Sequence, residues 1–270
     1  MRFKDKVALV TGGNGGIGAG IVKALLKEGA KVAFCDLNPE KIAQSAKEFK
    51  GLSEDVLAML CDLGSSKEVK DMFAQIIERF GTLDILVNNA GVPRRVPADR
   101  DKYLELTTNS DLKFSLGITR NMSDEEWEDS IRNNLNSVFY CCREALNIME
   151  PKGYGKIVNV ASMAGVSNRS PHSPNYSAGK GGVVAFTRSL AAEVAGAGVY
   201  VNAVAPGFVA TNYMSSFAKK NVEVAGKLVQ GIPLKRMSTV DEQVAVITFL
   251  ASDESNYILG QCINVNGGMF

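Results

Sequence analysis

Short unbroken runs of apolar residues alternate along this chain with longer stretches in which apolar side chains recur every three or four positions. Val7–Val10, Val32–Cys35, Val56–Cys61 and Ile85–Val87 are runs of the first kind, and Lys156–Val160, Val199–Val204 and Cys262–Val265 repeat the pattern later. Near-continuous apolar character over so few residues predicts strands covered on both faces. Helical patterns fill the gaps. One runs from Ile17 to about Glu28 and is ended by Gly29. Pro39 opens the next at a position where its missing N–H does no harm. Ser65 or Ser66 caps a third that reaches about Phe80, with Gly81 as its stop. Long helices are expected from roughly Asp124 to Met149 and from Asn175 to Ala195.

Strand and helix in strict alternation predict an α/β fold, a doubly wound parallel sheet of about seven strands with helices on both faces. Ligands in such a sheet bind at the C-terminal ends of the strands. No repeat, linker or low-complexity tract interrupts the pattern, so residues 1–270 read as one domain.

Composition narrows the function. Hydrophobic residues make up 46% and charged residues 22%, and the formal net charge is +1 with Lys and Arg spread along the length. That balance argues against a nucleic-acid or anionic-membrane surface. No apolar run is long enough to span a bilayer. A strand expected from about Lys6 leaves no room for a leader peptide. The five cysteines, Cys35, Cys61, Cys141, Cys142 and Cys262, match no metal or redox spacing. Cys35, Cys61 and Cys262 fall in or beside strands and read as small buried hydrophobes, which suits a reducing cytoplasm. His172 is the only histidine and lies in a Ser/Pro/Asn-rich stretch. Without a Gly-x-Ser-x-Gly elbow it reads as a surface-loop residue, not as part of a hydrolase triad.

Two motifs carry chemistry. Thr11-Gly12-Gly13-Asn14-Gly15-Gly16-Ile17-Gly18 follows the first strand and opens the first helix. Its glycines allow a tight turn, and the helix N-terminus offers bare N–H groups to a pyrophosphate, the arrangement of a Rossmann fold. Asp36, at the end of the second strand, can accept hydrogen bonds from both adenosine ribose hydroxyls and would repel a 2′-phosphate. Asn14, Gly15 and Leu37 flank it without positive charge, so NAD is expected over NADP. A purely local role, starting the turn into Asn38-Pro39, is the alternative. Asp62, after the third strand, can accept from the adenine amino group, or it too can be a turn residue. The second motif is Tyr176-Ser177-Ala178-Gly179-Lys180. Tyr and Lys four apart share a helix face, where an ammonium favours the phenolate. A phenol so tuned exchanges protons with an alcohol or carbonyl near neutral pH.

With Asn88-Asn89-Ala90-Gly91, Val160-Ala161-Ser162-Met163-Ala164-Gly165 and Pro206-Gly207 in the same order, the chain resembles the short-chain dehydrogenase/reductase family over nearly its whole length. Gly15 also fits the glycine spacing of that family's longer, epimerase-like branch; chain length and the Asn-Asn-Ala-Gly segment favour the shorter oxidoreductase branch. The resemblance implies Tyr176 as general acid/base. It implies Lys180 as the residue that holds the nicotinamide ribose and lowers the phenol's pKa, and Ser162 as a hydrogen bond to the reacting oxygen. Asn134, directly before Leu135, matches the family asparagine that kinks a helix and holds a water in a proton relay; Asn133 and Asn136 match less well. Gly12, Asn14, Gly15, Gly16, Ile17, Gly18, Asp36, Asp62, Leu63, Asn89, Ala90, Gly91, Tyr176, Lys180, Pro206, Gly207, Val209 and Thr211 are the implied NAD contacts, the last two toward the nicotinamide carboxamide. Structural roles compete for some: Ser162 can cap a strand end and Asn134 can satisfy backbone groups in mid-helix.

The implied activity is an NAD(H)-dependent interconversion of a secondary alcohol and a ketone, with no metal. The alternatives are a 3-oxoacyl-thioester reductase, normally NADPH-dependent and so disfavoured by Asp36, and a non-catalytic dinucleotide-binding regulator. A homotetramer is the family expectation. The chain departs from the family between Gly91 and Asn134, about twice the usual separation. The extra residues, 93–121, are expected to form a hairpin-like flap over the pocket, with Leu112, Phe114, Leu116 and Ile118 alternating as a half-buried strand and Tyr103, Leu104 and Leu106 opposite. A surface elaboration or subunit contact is the alternative. Residues 207–233 correspond to a variable substrate loop. Met214, Phe217, Val222 and Val224 make it apolar, pointing to a steroid, cyclic or acyl ketone, with a polyol not excluded.

Overall fold

The computed structural model describes residues 1–91, 115–167 and 172–270, without the side chains of Tyr213 and Phe217. Seven strands, β1 (Val7–Thr11), β2 (Lys31–Asp36), β3 (Val56–Leu60), β4 (Ile85–Asn88), β5 (Gly155–Val160), β6 (Val199–Pro206) and β7 (Cys262–Val265), form one sheet. Its order is β3-β2-β1-β4-β5-β6-β7 and every pairing is parallel. The order reverses between β1 and β4, and the crevice at their C-terminal ends is where such a sheet takes a ligand.

Helices cover both faces. Against one lie α1 (Gly16–Lys27), α2 (Pro39–Lys50) and, from the far end of the chain, α10 (Val240–Ala251). Ile21, Val22, Leu25, Phe49, Ile247 and Leu250 from these helices are buried on Val10, Phe34 and Val87. Against the other lie α3 (Ser66–Phe80), α6 (Ser137–Lys152) and α7 (Pro174–Val194), packing Val69, Ile76, Cys141, Ala145 and Leu190 on Leu9, Leu86 and Ile157. Burial on two sides removes each of these side chains from water, worth about 1.5–3 kcal/mol apiece before chain entropy is charged against it. The two-sided burial explains why the strands show no polar alternation.

Local signals set the ends. Asn38 Oδ1 accepts from Lys41 N at 2.9 Å and Pro39 follows at the first helical position. Ser65, not Ser66, caps α3 through Glu68 N, and Gly81 ends it in the left-handed conformation. Thr239 and Glu242 form a reciprocal capping box on α10.

Three expectations change. The helix expected from Asp124 to Met149 is two, α5 (Asp124–Ile131) and α6, joined by a π-turn at Arg132–Asn136. The substrate loop contains two helices, α8 (Asn212–Lys220) and α9 (Val222–Gln230). The alternating strand expected to end at Ile118 does not extend there: Gly117 turns left-handed and starts the single turn α4 (Ile118–Asn121), with Ile118 buried. The rest of the flap reading, including Tyr103, Leu104, Leu106, Leu112 and Phe114, lies outside the described residues. Among the described residues no helix is long and apolar enough to cross a membrane.

Candidate active site

The turn after β1 is built from close contacts that need glycine. A Cβ on Gly18 would lie 2.0 Å from Gly12 O, and one on Gly13 2.7 Å from Phe34 Cβ. Gly12 itself has φ +64°, open to glycine at little strain. Thr11 Oγ1 accepts from Asn89 N and Ala90 N, both at 3.0 Å, and Asn89 Nδ2 donates to Thr11 O and Gly12 O. The Asn88–Gly91 segment therefore fixes the glycine turn from the β4 side.

This cradle fits a dinucleotide. The N-cap of α1 is Gly15, whose missing side chain leaves open space, and no side chain caps the helix. Asn14 Nδ2 is buried with no hydrogen-bond partner. Bare donors at a helix N-terminus, with its positive dipole end, are what a pyrophosphate requires. Asp36 sits at the end of β2. Its Oδ1 accepts from Leu37 N at 2.7 Å, while Asn38 caps the following helix. Asp62 Oδ1 accepts from Gly64 N at 2.9 Å and Oδ2 pairs with the Arg132 guanidinium. Leu63 packs on the core beside it.

The chemistry-bearing side chains come together on the other side of the crevice. Tyr176 and Lys180 lie one turn apart on α7 and are 7% and 1% exposed. Lys180 Nζ donates to Val160 O at 2.8 Å. Burial pushes its pKa down to about 8. Asn134, also buried, lies in the π-turn, and its Nδ2 donates to Ser130 O at 3.0 Å. Asn134 Oδ1 and Lys180 Nζ converge on Gly91, standing 2.8 and 2.9 Å from where a Cβ would be. Gly91 has φ +140°, and only glycine lets the strand end pass this close. A π-turn is a frequent device for re-aiming one side chain inside a helix. Ser162 follows β5; its Oγ accepts from Ala164 N at 3.1 Å and so caps the 3₁₀ turn Met163–Gly165.

Pro206-Gly207 ends β6. Gly207 N donates to Val265 O at 3.0 Å, and Val209 bridges to Ser238. The Thr211 methyl lies beside Gly16, 3.4 Å from a Cβ built there. Residues 207–211 thus close over the glycine turn.

The sequence reading missed three residues. His172, expected as a surface-loop residue, is partly buried, with its ring 5.5 Å from the Tyr176 ring centroid and tilted 38°. A single histidine four residues before the tyrosine was the available signal. Arg132 clamps Asp62 and donates from Nε to Gly64 O. The third is Gln243, buried in α10. Asn88 also has a structural part: its Nδ2 donates to Asn159 Oδ1, and Asn159 Nδ2 to Thr187 Oγ1, tying β4, β5 and α7 together beneath the site. Cys35 and Cys61 are buried as expected, whereas Cys262 is only partly buried; burial pushes the thiols of Cys61 and Cys142 up to about 12.

The short chain dehydrogenase family profile matches residues 6–222. The chain belongs to the short-chain dehydrogenases. These are oxidoreductases that use a nicotinamide dinucleotide, and the Rossmann-type sheet agrees. A relative from Thermotoga maritima, the 3-oxoacyl-[acyl-carrier-protein] reductase FabG, is 34% identical over 100% of this chain and 99% of its own length. Among solved structures, levodione reductase superposes with a TM-score of 0.85 at 30% identity, covering 99% of this chain and 98% of that one. An actinorhodin polyketide ketoreductase variant solved with NADPH superposes with a TM-score of 0.84 at 32% identity, covering 98% and 97%.

Proposed function

We propose that this short-chain dehydrogenase interconverts a secondary alcohol and a ketone with NAD(H), residues 1–270 acting as one catalytic domain. When bound, the dinucleotide supplies the hydride donor or acceptor. The observation that carries the reading is the convergence of Lys180 Nζ and Asn134 Oδ1 on Gly91, one helical turn from Tyr176. In the reducing direction the Tyr176 phenol gives its proton to the substrate oxygen as the carbonyl carbon gains hydride. The Lys180 ammonium stabilises the phenolate left behind. Ser162 holds the reacting oxygen, and Asn134 carries a water that returns the proton from solvent. Lys180 also binds the nicotinamide ribose, while Val209 and Thr211 meet the carboxamide.

Asp36 supports NAD over NADP. No ion pair neutralises its carboxylate among the described residues, and a 2′-phosphate placed there meets like charge. Within the loop of residues 207–233, Ala225, Leu228 and Ile232 are buried, and this apolar character suits a substrate with apolar surface. A second reading, reduction of a 3-oxoacyl thioester, is favoured by the name and full-length match of the Thermotoga maritima relative.

One assay tests both. Turnover is measured with NADH and NADPH on a 3-oxoacyl thioester, a cyclic ketone and a polyol-derived ketone, for the wild type, Asp36→Ala and Tyr176→Phe. The expected outcome is preference for NADH, relaxed about tenfold or more toward NADPH in Asp36→Ala, and loss of most kcat in Tyr176→Phe with NADH binding retained. NADPH preference in the wild type would overturn the coenzyme assignment, and full turnover by Tyr176→Phe the mechanism. The ketone turned over fastest decides between the two substrate readings. We also propose a homotetramer in the cytoplasm, supported by exposed Phe139, Tyr257 and Phe270; light scattering that gives the mass of a single chain would remove the assembly.

A further inference from the structure

Gln243 is a polar side chain in a place where an apolar one would be expected. It lies in the first turns of α10, is 0% exposed, and is followed by the buried residues Val244, Ile247 and Leu250. Taking an amide out of water is unfavourable unless its groups are matched. One side of this amide is matched and the other is not. Nε2 donates to Ser238 Oγ at 2.8 Å and to Val265 O at 3.0 Å, whereas Oε1 has no hydrogen-bond partner. Whatever keeps the residue here depends on its two N–H groups.

Those two N–H groups reach the two segments that hold residues 207–210. Ser238 pairs in parallel with Val209; its N–H donates to Phe208 O at 3.0 Å and its carbonyl accepts from Ala210 N at 2.8 Å. Its hydroxyl also donates to Phe208 O, at 3.4 Å. Val265 O, the other acceptor, takes the N–H of Gly207 at 3.0 Å. One buried amide therefore spans the start and the middle of the loop from behind. Gly207 has no slack, since a Cβ there would lie 2.8 Å from Asn266 Cα. At its far end the loop touches the glycine turn through Thr211 and Gly16.

We propose that Gln243 is a positioning residue for the nicotinamide half of the coenzyme, acting through Ser238 and Val265 on residues 207–211. The proposal rests on the reading above that Val209 and Thr211 receive the carboxamide. It makes Gln243 specific to one half of the ligand. The adenosine half is held by Asp36, Asp62 and the start of α1, which this amide does not touch.

The test compares Gln243→Leu and Ser238→Ala with the wild type. The second variant removes one acceptor at the surface of the network and leaves the helix packing intact. Calorimetry measures the Kd of the reduced dinucleotide that the wild type binds more tightly, and of ADP-ribose, which lacks the nicotinamide. Steady-state kinetics on the same proteins give kcat and the coenzyme KM. Loss of one or two hydrogen bonds that position the loop is expected to weaken dinucleotide binding roughly tenfold and raise KM in step, with ADP-ribose unchanged within about twofold. A role in folding alone would weaken both ligands in the same proportion, and that result, or dinucleotide binding unchanged in both variants, overturns the proposal. A wild type that binds dinucleotide and ADP-ribose equally well would instead defeat the reading of the loop on which it rests.

Discussion

Lys180 is held at the point where stability and activity pull in opposite directions. Its ammonium is excluded from water and has one carbonyl for company, and the difference between a pKa of about 8 and the ordinary 10.5 corresponds to roughly 3 kcal/mol against the charged form. The folded protein releases this proton more readily than the unfolded chain does. Over pH 8 to 10.5 the unfolded chain holds more protons, so this residue makes stability rise with pH there and withholds it fully below pH 8. Lys156, buried beside Asn256 with its pKa also lowered to about 8, adds to the same trend. Lys180→Met should therefore be more stable than the wild type at pH 7, by about 1–2 kcal/mol after loss of the bond to Val160, and nearly inactive. Urea melts at pH 7 and 9.5 check this: the gain should shrink at the higher pH, and a variant less stable at pH 7 would contradict it. Tyr176 and Lys180 were legible as a pair because their spacing is a property of one helix, and Ser162 was singled out through the family resemblance. His172 was not. Its Ser/Pro/Asn-rich surroundings pointed to solvent, and its ring lies beside the tyrosine just ahead of α7.

At the scale of elements, the 3₁₀ turn Met163–Gly165, which follows Ser162, packs closely against the part of α7 that carries Lys180. Gly165 makes it possible: a Cβ there would lie 2.5 Å from the Lys180 carbonyl carbon and 2.6 Å from Gly181 N, backbone atoms that cannot swing aside. Gly165→Ala should cost about 1–3 kcal/mol in a denaturant melt. It should lower kcat far more than coenzyme affinity, because the glycine turn of β1 is untouched; unchanged kcat would show that the spacing tolerates a shift. All seven strands were readable from apolar runs, and α1 to α3 from signals such as Pro39, Ser65 and the glycines that end them, whereas α10 with its Thr239 capping box was not read. Nor was the π-turn readable from periodicity, since its pattern of apolar residues continues that of a plain helix. The family resemblance pointed to a kink at Asn134, and the π-turn at Arg132–Asn136 lies there. The two helices within residues 212–230 were also hidden, because an apolar, lysine-rich stretch fits a loop as well as two short amphipathic segments.

For the whole molecule, the crevice joins parts of the chain that are far apart in sequence. Thr11, Asp36, Asn89, Asn134, Tyr176 and Val209 arrive on separate connections because parallel strands deliver every C-terminal end to one side. Order of motifs along the chain was enough to foresee that meeting. Long-range supports such as Gln243 to Val265 and Arg132 to Asp62 were not, since neither partner carries a local pattern. The bare start of α1 has one further consequence. With Gly15 in the cap position and no side chain capping the first turn, that helix is built with one end unfinished, which a bound pyrophosphate would complete. The dinucleotide is then a component of the fold as much as a reagent. Melting temperature should climb steadily with each tenfold rise in free coenzyme, by mass action, and a thermal-shift titration that stays flat would speak against it. In a cell, scarcity of the coenzyme would then show as a shorter-lived protein before it showed as a slower one.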